Sequence, residues 1–217
     1  MAPSTEDHRD RVDARVRRTR HRLESAMIEL CLETDFNDIT IEDILQRADV
    51  SRPAFYSHYS DKTALLDAAL EHALEGLRAE SSAAVERAGR LVSEPTEVLF
   101  KSAADNAPAM RVLLSGAGDG KPLRRAIASA AVDIEPALLR QAAEAGTEPR
   151  LPIDLIAAHW ASSFFSVLEW WLDNNMEVEP ATVANYFLNL TLRGRAWALG
   201  FDIAQHEISR SRDPGEE

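Results

Sequence analysis

The chain has 217 residues, one cysteine and a formal net charge of -12. A single cysteine excludes a disulfide framework, and no apolar run approaches the ~18 residues of a membrane span, so a reduced, cytoplasmic setting without a membrane partner is expected. The acidity does not exclude a nucleic-acid partner: seven arginines stand between Arg9 and Arg22 against Asp10 and Asp13, and phosphate contact depends on the local patch, not the global sum.

Residues 1–18 are charged, with no hydrophobic segment behind them, which excludes a secretory signal. They read as a disordered basic arm. Such an arm is either a solvated tail or a segment that follows phosphates or enters a minor groove, with Arg20 nearest the folded part. Periodicity predicts a first helix over 19–33, with Leu23, Ala26, Met27, Leu30 and Cys31 on one face. Phe36 follows at the turn and closes the same small core.

A second helix opens at Thr40, where Asp43 completes a capping box, and buries Ile41, Ile44, Leu45 and Ala48. Asp49 and Val50 make a tight turn. Ser51 caps a third helix, with Pro53 in its first turn, where the missing N–H costs nothing. Phe55 and Tyr59 point one way, leaving Arg52, Ala54, Tyr56 and Ser57 facing out. This is the layout of a helix-turn-helix whose second helix enters a DNA groove. Residues 19–61 form the predicted DNA-binding domain.

A fourth helix starts after Asp61 and runs to about Ser82. Proline and glycine punctuation then predicts helices near 95–106, 108–115, 122–145, 152–175 and 180–199. No segment alternates with period two, so the expected fold is all-α: a three-helix head, a helical body over 62–209 and a charged tail over 210–217. The 152–175 segment is apolar nearly all round, so it needs cover on every side, from its own body and from a second subunit. On this reading Trp170 and Trp171 belong to the core or to a subunit interface.

Between Thr19 and about Leu66 the chain carries Thr19-Arg20, Phe36, Thr40-Ile41, Asp43-Ile44, Val50-Ser51, Phe55-Tyr56, His58-Tyr59, Lys62 and Leu65. As an ensemble these residues resemble the tetracycline-repressor (TetR) family of bacterial transcription regulators. Asp35 and Asp49 depart from it, standing where the family usually has glycine; aspartate tolerates left-handed backbone better than most residues. The resemblance implies a homodimer with DNA-binding heads and ligand-binding bodies, its last two long helices (here 152–175 and 180–199) packing across the two-fold. Trp160 through Trp170-Trp171 to Pro180 weakly resembles a class that includes regulators of dihydroxyacetone metabolism, and names no ligand.

The expected DNA contacts follow from side-chain chemistry. Arg52 can pair with guanine O6 and N7 or with a phosphate, and Ala54 can meet a thymine methyl. Pro53 stiffens the helix start on the exposed side, and Tyr56 suits a phosphate through its hydroxyl. His58 reads equally as a phosphate contact or a helix-end histidine. Lys62 and Thr40 sit at helix starts, where free N–H groups suit a phosphate; Ser51 and Arg20 complete the set. In the body, Phe100, Met110, Leu114, His159, Trp160, Ser163 and Phe164 are expected to line a mostly apolar effector cavity.

The expected partner is double-stranded operator DNA, and the expected function is repression relieved by a small-molecule effector. The alternative is a co-activator or interaction module governed by a protein partner. A small-molecule-binding enzyme is the remote one, since no phosphate loop, paired-cysteine or HExxH spacing occurs and no cofactor or metal is expected.

Overall fold

The computed structural model describes residues 5–88 and 93–198. All secondary structure among them is helical: α1 (Thr5–Glu33), α2 (Ile41–Ala48), α3 (Arg52–Tyr56), α4 (Lys62–Ala88), α5 (Ser93–Asp105), α6 (Ala107–Leu114), α7 (Lys121–Glu144), α8 (Ile153–Asp173) and α9 (Pro180–Ala198). The charged tail 210–217 and the first four residues lie outside the described residues.

Two compact units divide the chain: Met1–Glu75 with Asn106–Leu123, and Gly76–Asp105 with Arg124–Glu217. The first is the head. Its core joins Leu23, Ala26, Met27 and Leu30 of α1 to Ile44, Leu45 and Ala48 of α2, Phe55 of α3, and Leu65, Leu66 and Leu70 of α4. Cys31 is half-buried there, and burial pushes its thiol up to about 11, which disfavours the thiolate.

Two expectations about the head need correction. Residues 5–18, read as part of a disordered arm, continue α1 as helix; no glycine or proline interrupts the sequence from Thr5 to Glu33, so nothing forces a break at Thr19. The head is also larger than 19–61. It includes α4 as far as Glu75 and takes in α6 from beyond it in sequence, which packs on α1. Met110, Val112 and Leu113 of α6 are fully buried. After α6, Gly118 has φ of 70°, and a Cβ there would stand 2.8 Å from the Leu66 side chain, so any other residue would be strained at this turn.

The second unit is built on aromatic packing. Phe100 of α5 meets Phe164 at 5.1 Å, Trp171 at 5.8 Å and Phe187 at 6.1 Å between ring centroids. Trp160 stacks on Phe164 and stands edge-on to Phe187 at 5.2 Å. The Trp171 indole donates to the Val178 carbonyl at 2.8 Å, tying α8 to the turn before α9. One face of this α8–α9 pair stays apolar and uncovered: Leu155, Trp170, Tyr186 and Leu190 are exposed, Leu190 at 75%.

Candidate nucleic-acid interface

The interface is set up by the turn between α2 and α3. Thr40 Oγ1 accepts from the Asp43 N–H at 3.2 Å, and Asp43 Oδ2 accepts from the Thr40 N–H at 2.9 Å and its hydroxyl at 2.6 Å. These bonds hold the Asp43 carboxyl below the usual carboxylate range and leave the α2 start closed by a full capping box. At the other end Asp49 adopts φ of 49° and ψ of 54°, the left-handed position that its short polar side chain tolerates. Asp35, the other departure, keeps negative φ and makes its turn by accepting from the Asn37 N–H at 2.8 Å.

The third helix has only five residues, too few to hold itself, so packing must orient it. Phe55 is fully buried and Tyr59 nearly so, with their rings 6.1 Å apart. That anchor turns Arg52, Pro53, Tyr56 and Ser57 to solvent, while Ala54 and His58 are half-buried. Ser51 occupies the N-cap position without a side-chain cap bond. Of the outward set expected from helical spacing, Arg52 and Tyr56 are exposed on α3 and Ser57 just after it, while Ala54 is partly covered.

Around this face the arginines are held by acids. Arg52 Nη2 donates to Glu42 Oε2 of α2 at 2.8 Å. Arg22 of α1 pairs with Asp49 at 2.7 Å. Arg47 of α2 reaches Glu29 and Glu33 on α1 at 3.3 and 2.7 Å, and its hydrogen bond holds the Glu33 carboxyl low.

Behind the face lies a buried network. Glu24 of α1 is 6% exposed; it accepts from the Tyr59 hydroxyl at 2.6 Å, and His72 Nδ1 lies 2.9 Å from its other oxygen. Arg20 Nε donates to the Tyr59 hydroxyl at 3.4 Å and stands 3.7 Å from Glu24. Burial, followed by the hydrogen bond to Glu24, pushes the Tyr59 hydroxyl up to about 12, so it acts as a neutral donor. Arg20, expected on an arm, is thus part of the α1–α4 joint.

The Lys62 ammonium, expected at a phosphate, instead donates to the carbonyls of Phe36, Asn37 and Ile39 at 2.8, 3.0 and 2.7 Å. It also lies 4.7 Å from the centre of the Phe36 ring. All three of its donors are used, and they fix the α1–α2 loop. Asp61 caps α4, accepting from the Ala64 N–H at 2.8 Å.

Sequence reasoning missed Glu42, Glu24 and Arg47. A glutamate inside the apolar stripe of α1 was the available signal for Glu24. The expected effector residues are drawn from both units. Met110 and Leu114 belong to α6 in the head unit, and His159 is exposed on α8, while Phe100, Trp160 and Phe164 share the aromatic cluster beside half-buried Ser163. Among the described residues no group of three metal-ligating side chains occurs, and no helix is long and apolar enough to cross a membrane.

A family described as bacterial regulatory proteins, tetR family, matches residues 25–69, the span that holds α2, α3 and Tyr59. An uncharacterized HTH-type transcriptional regulator, YxbF of Bacillus subtilis, is 34% identical over 70 residues, 32% of this chain but only 18% of that protein. Solved structures match over nearly their whole length. A TetR transcriptional regulator from Streptococcus agalactiae is 26% identical at a TM-score of 0.57, covering 82% of this chain and 96% of that one. The fatty acid degradation regulator FadR from Bacillus halodurans reaches a TM-score of 0.66 at 13% identity, covering 80% of this chain and 94% of that one. In its matched helix-turn-helix and in the fold of its helical body, the chain is similar to TetR-family transcription regulators.

Proposed function

We propose that the protein is a dimeric repressor that places two copies of α3 in successive major grooves of a near-palindromic operator and is released by a small-molecule effector. The observation that carries the DNA reading is the outward set on α3: Arg52, Pro53 and Tyr56 exposed on a helix whose other side, Phe55 and Tyr59, is buried. Arg52 reads a guanine edge, Ala54 meets a thymine methyl, and Tyr56, Thr40 and Ser51 contact phosphates, with His58 at the margin.

The dimer reading rests on the uncovered α8–α9 face. Trp170 and Tyr186 meet at 6.4 Å, and with Ser166, Val167, Asn189 and Leu190 they line an apolar groove whose exposure in a lone chain calls for a partner. A second copy of the same face is the occupant the family resemblance favours.

The effector reading rests on the body. The Trp160 indole N–H is buried without a hydrogen-bond partner among the described residues, as is the Gln141 amide oxygen, and buried polar groups ordinarily have partners. A mostly apolar effector with a hydrogen-bond acceptor suits Trp160, beside Phe100, Ser163 and Phe164. Release follows only if such a ligand prefers the conformation that does not bind DNA.

Thermal unfolding against a metabolite panel tests this reading. A ligand at about 100 times its Kd adds about 2.7 kcal/mol to native stability and raises the midpoint, and the same compound should weaken operator binding. A panel without any midpoint shift, together with co-purification of a protein that alters DNA binding, would favour control by a partner protein.

A further inference from the structure

Glu42 stands out on the DNA-facing side of the head. It lies in the first turn of α2 and is 73% exposed at the side chain, and α2 buries Ile44, Leu45 and Ala48 without it. A free carboxylate on a surface that must approach phosphates is a liability. Here it is not free: its Oε2 accepts from Arg52 Nη2 at 2.8 Å, and Arg52 is the N-terminal residue of α3.

We propose that Glu42 is the positioning residue that makes Arg52 a base reader and keeps it from the phosphates. This rests on the reading above that the exposed face of α3 contacts DNA. A guanidinium has five N–H donors, so the bond to Glu42 leaves enough donors for the two acceptors of a guanine edge. Holding the side chain in the free protein removes part of the rotamer entropy that binding would otherwise cost. The pair is also neutral, so it releases few counterions at a phosphate, where a lone arginine would release about one more. The hydrogen bond to Glu42, then its charge, raise the Arg52 pKa, with a smaller contribution from Tyr56.

The test uses the full chain and four variants of one cycle: wild type, E42A, R52A and the double variant. A duplex selected from randomised DNA by the wild type is measured against its single base-pair substitutions and against a random duplex, over a range of salt. R52A should erase discrimination at one base pair of each half-site. E42A should lower discrimination at that same pair by about threefold or more. It should also bind the random duplex more tightly, with a log–log salt slope steeper by about 0.9. In the R52A background, E42A should add nothing to the loss at that pair.

Unchanged discrimination and slope in E42A would overturn the inference and leave Glu42 as an ordinary surface ion pair. A loss that persists in the R52A background would also overturn it, since Glu42 would then read a base itself. If R52A leaves discrimination intact at every position, the underlying reading of α3 fails first, and that result is distinguishable from the other two.

Discussion

Tyr59 shows how much one side chain can carry in this head. Its ring closes the core beneath α3, and its hydroxyl satisfies a carboxylate that would otherwise be buried with too few donors. Replacing it with phenylalanine keeps the ring and removes the hydrogen-bond donor to Glu24 Oε1, leaving His72 on the other oxygen. Loss of a buried donor costs about 1–3 kcal/mol, so Y59F should lower the head's stability by that order in chemical denaturation, whereas Y59F with E24Q should recover part of it. Equal stability of Y59F and wild type would mean the network is idle. The raised Tyr59 pKa sets the sign at high pH: the stability is fully present below the ordinary value of about 10 and is lost as pH rises through about 12. That the ring of Tyr59 lies inside was legible from its spacing to Phe55. Its hydroxyl's partner was not, because hydrophobic period reports which face is buried and not which residue thirty-five positions away meets it.

Among the elements, α2 was the most legible, because capping chemistry is local. Thr40 and Asp43 lie three residues apart and need only each other. Asp43 titrates low because hydrogen bonds from the Thr40 hydroxyl and N–H favour its charged form. A depressed carboxylate contributes stability above its ordinary pKa, lost as pH falls through the folded value. D43N should therefore reduce stability at neutral pH and flatten the acid side of the pH–stability curve; an acid limb with the wild-type slope would contradict the assignment. The ends of α1 and the allegiance of α6 were less legible. An amphipathic pattern ends where its apolar stripe ends, but a helix can continue in water when nothing breaks it, as α1 does back to Thr5. The buried faces of Met110, Val112 and Leu113 announce burial without saying that α1 is the partner. Lys62 fell to the same limit: a cation at a helix start suits an anion in the abstract, and here three nearby carbonyls claim it first.

At the scale of the whole chain, a net charge of -12 offers no bulk attraction to DNA. Even the arginines near α3 are matched by Glu42, Asp49, Glu29 and Glu33. The proposed recognition by this head therefore leans on directed hydrogen bonds to bases for its specificity. The proposed dimer rests on uncovered surface. Leu190 is 75% exposed beside Trp170 and Tyr186, so L190E should shift the protein from dimer to monomer in sedimentation while leaving the helical signal intact, and an unchanged sedimentation coefficient would place the interface elsewhere. The most direct test of the account is to select duplexes from a randomised DNA library with the intact protein, sequence them, and repeat with R52A. The account predicts an inverted repeat, with half-sites about one helical turn apart and one base pair per half-site that R52A no longer distinguishes. Enrichment of no common sequence by the wild type, or the same sequence with the same discrimination by R52A, would contradict it.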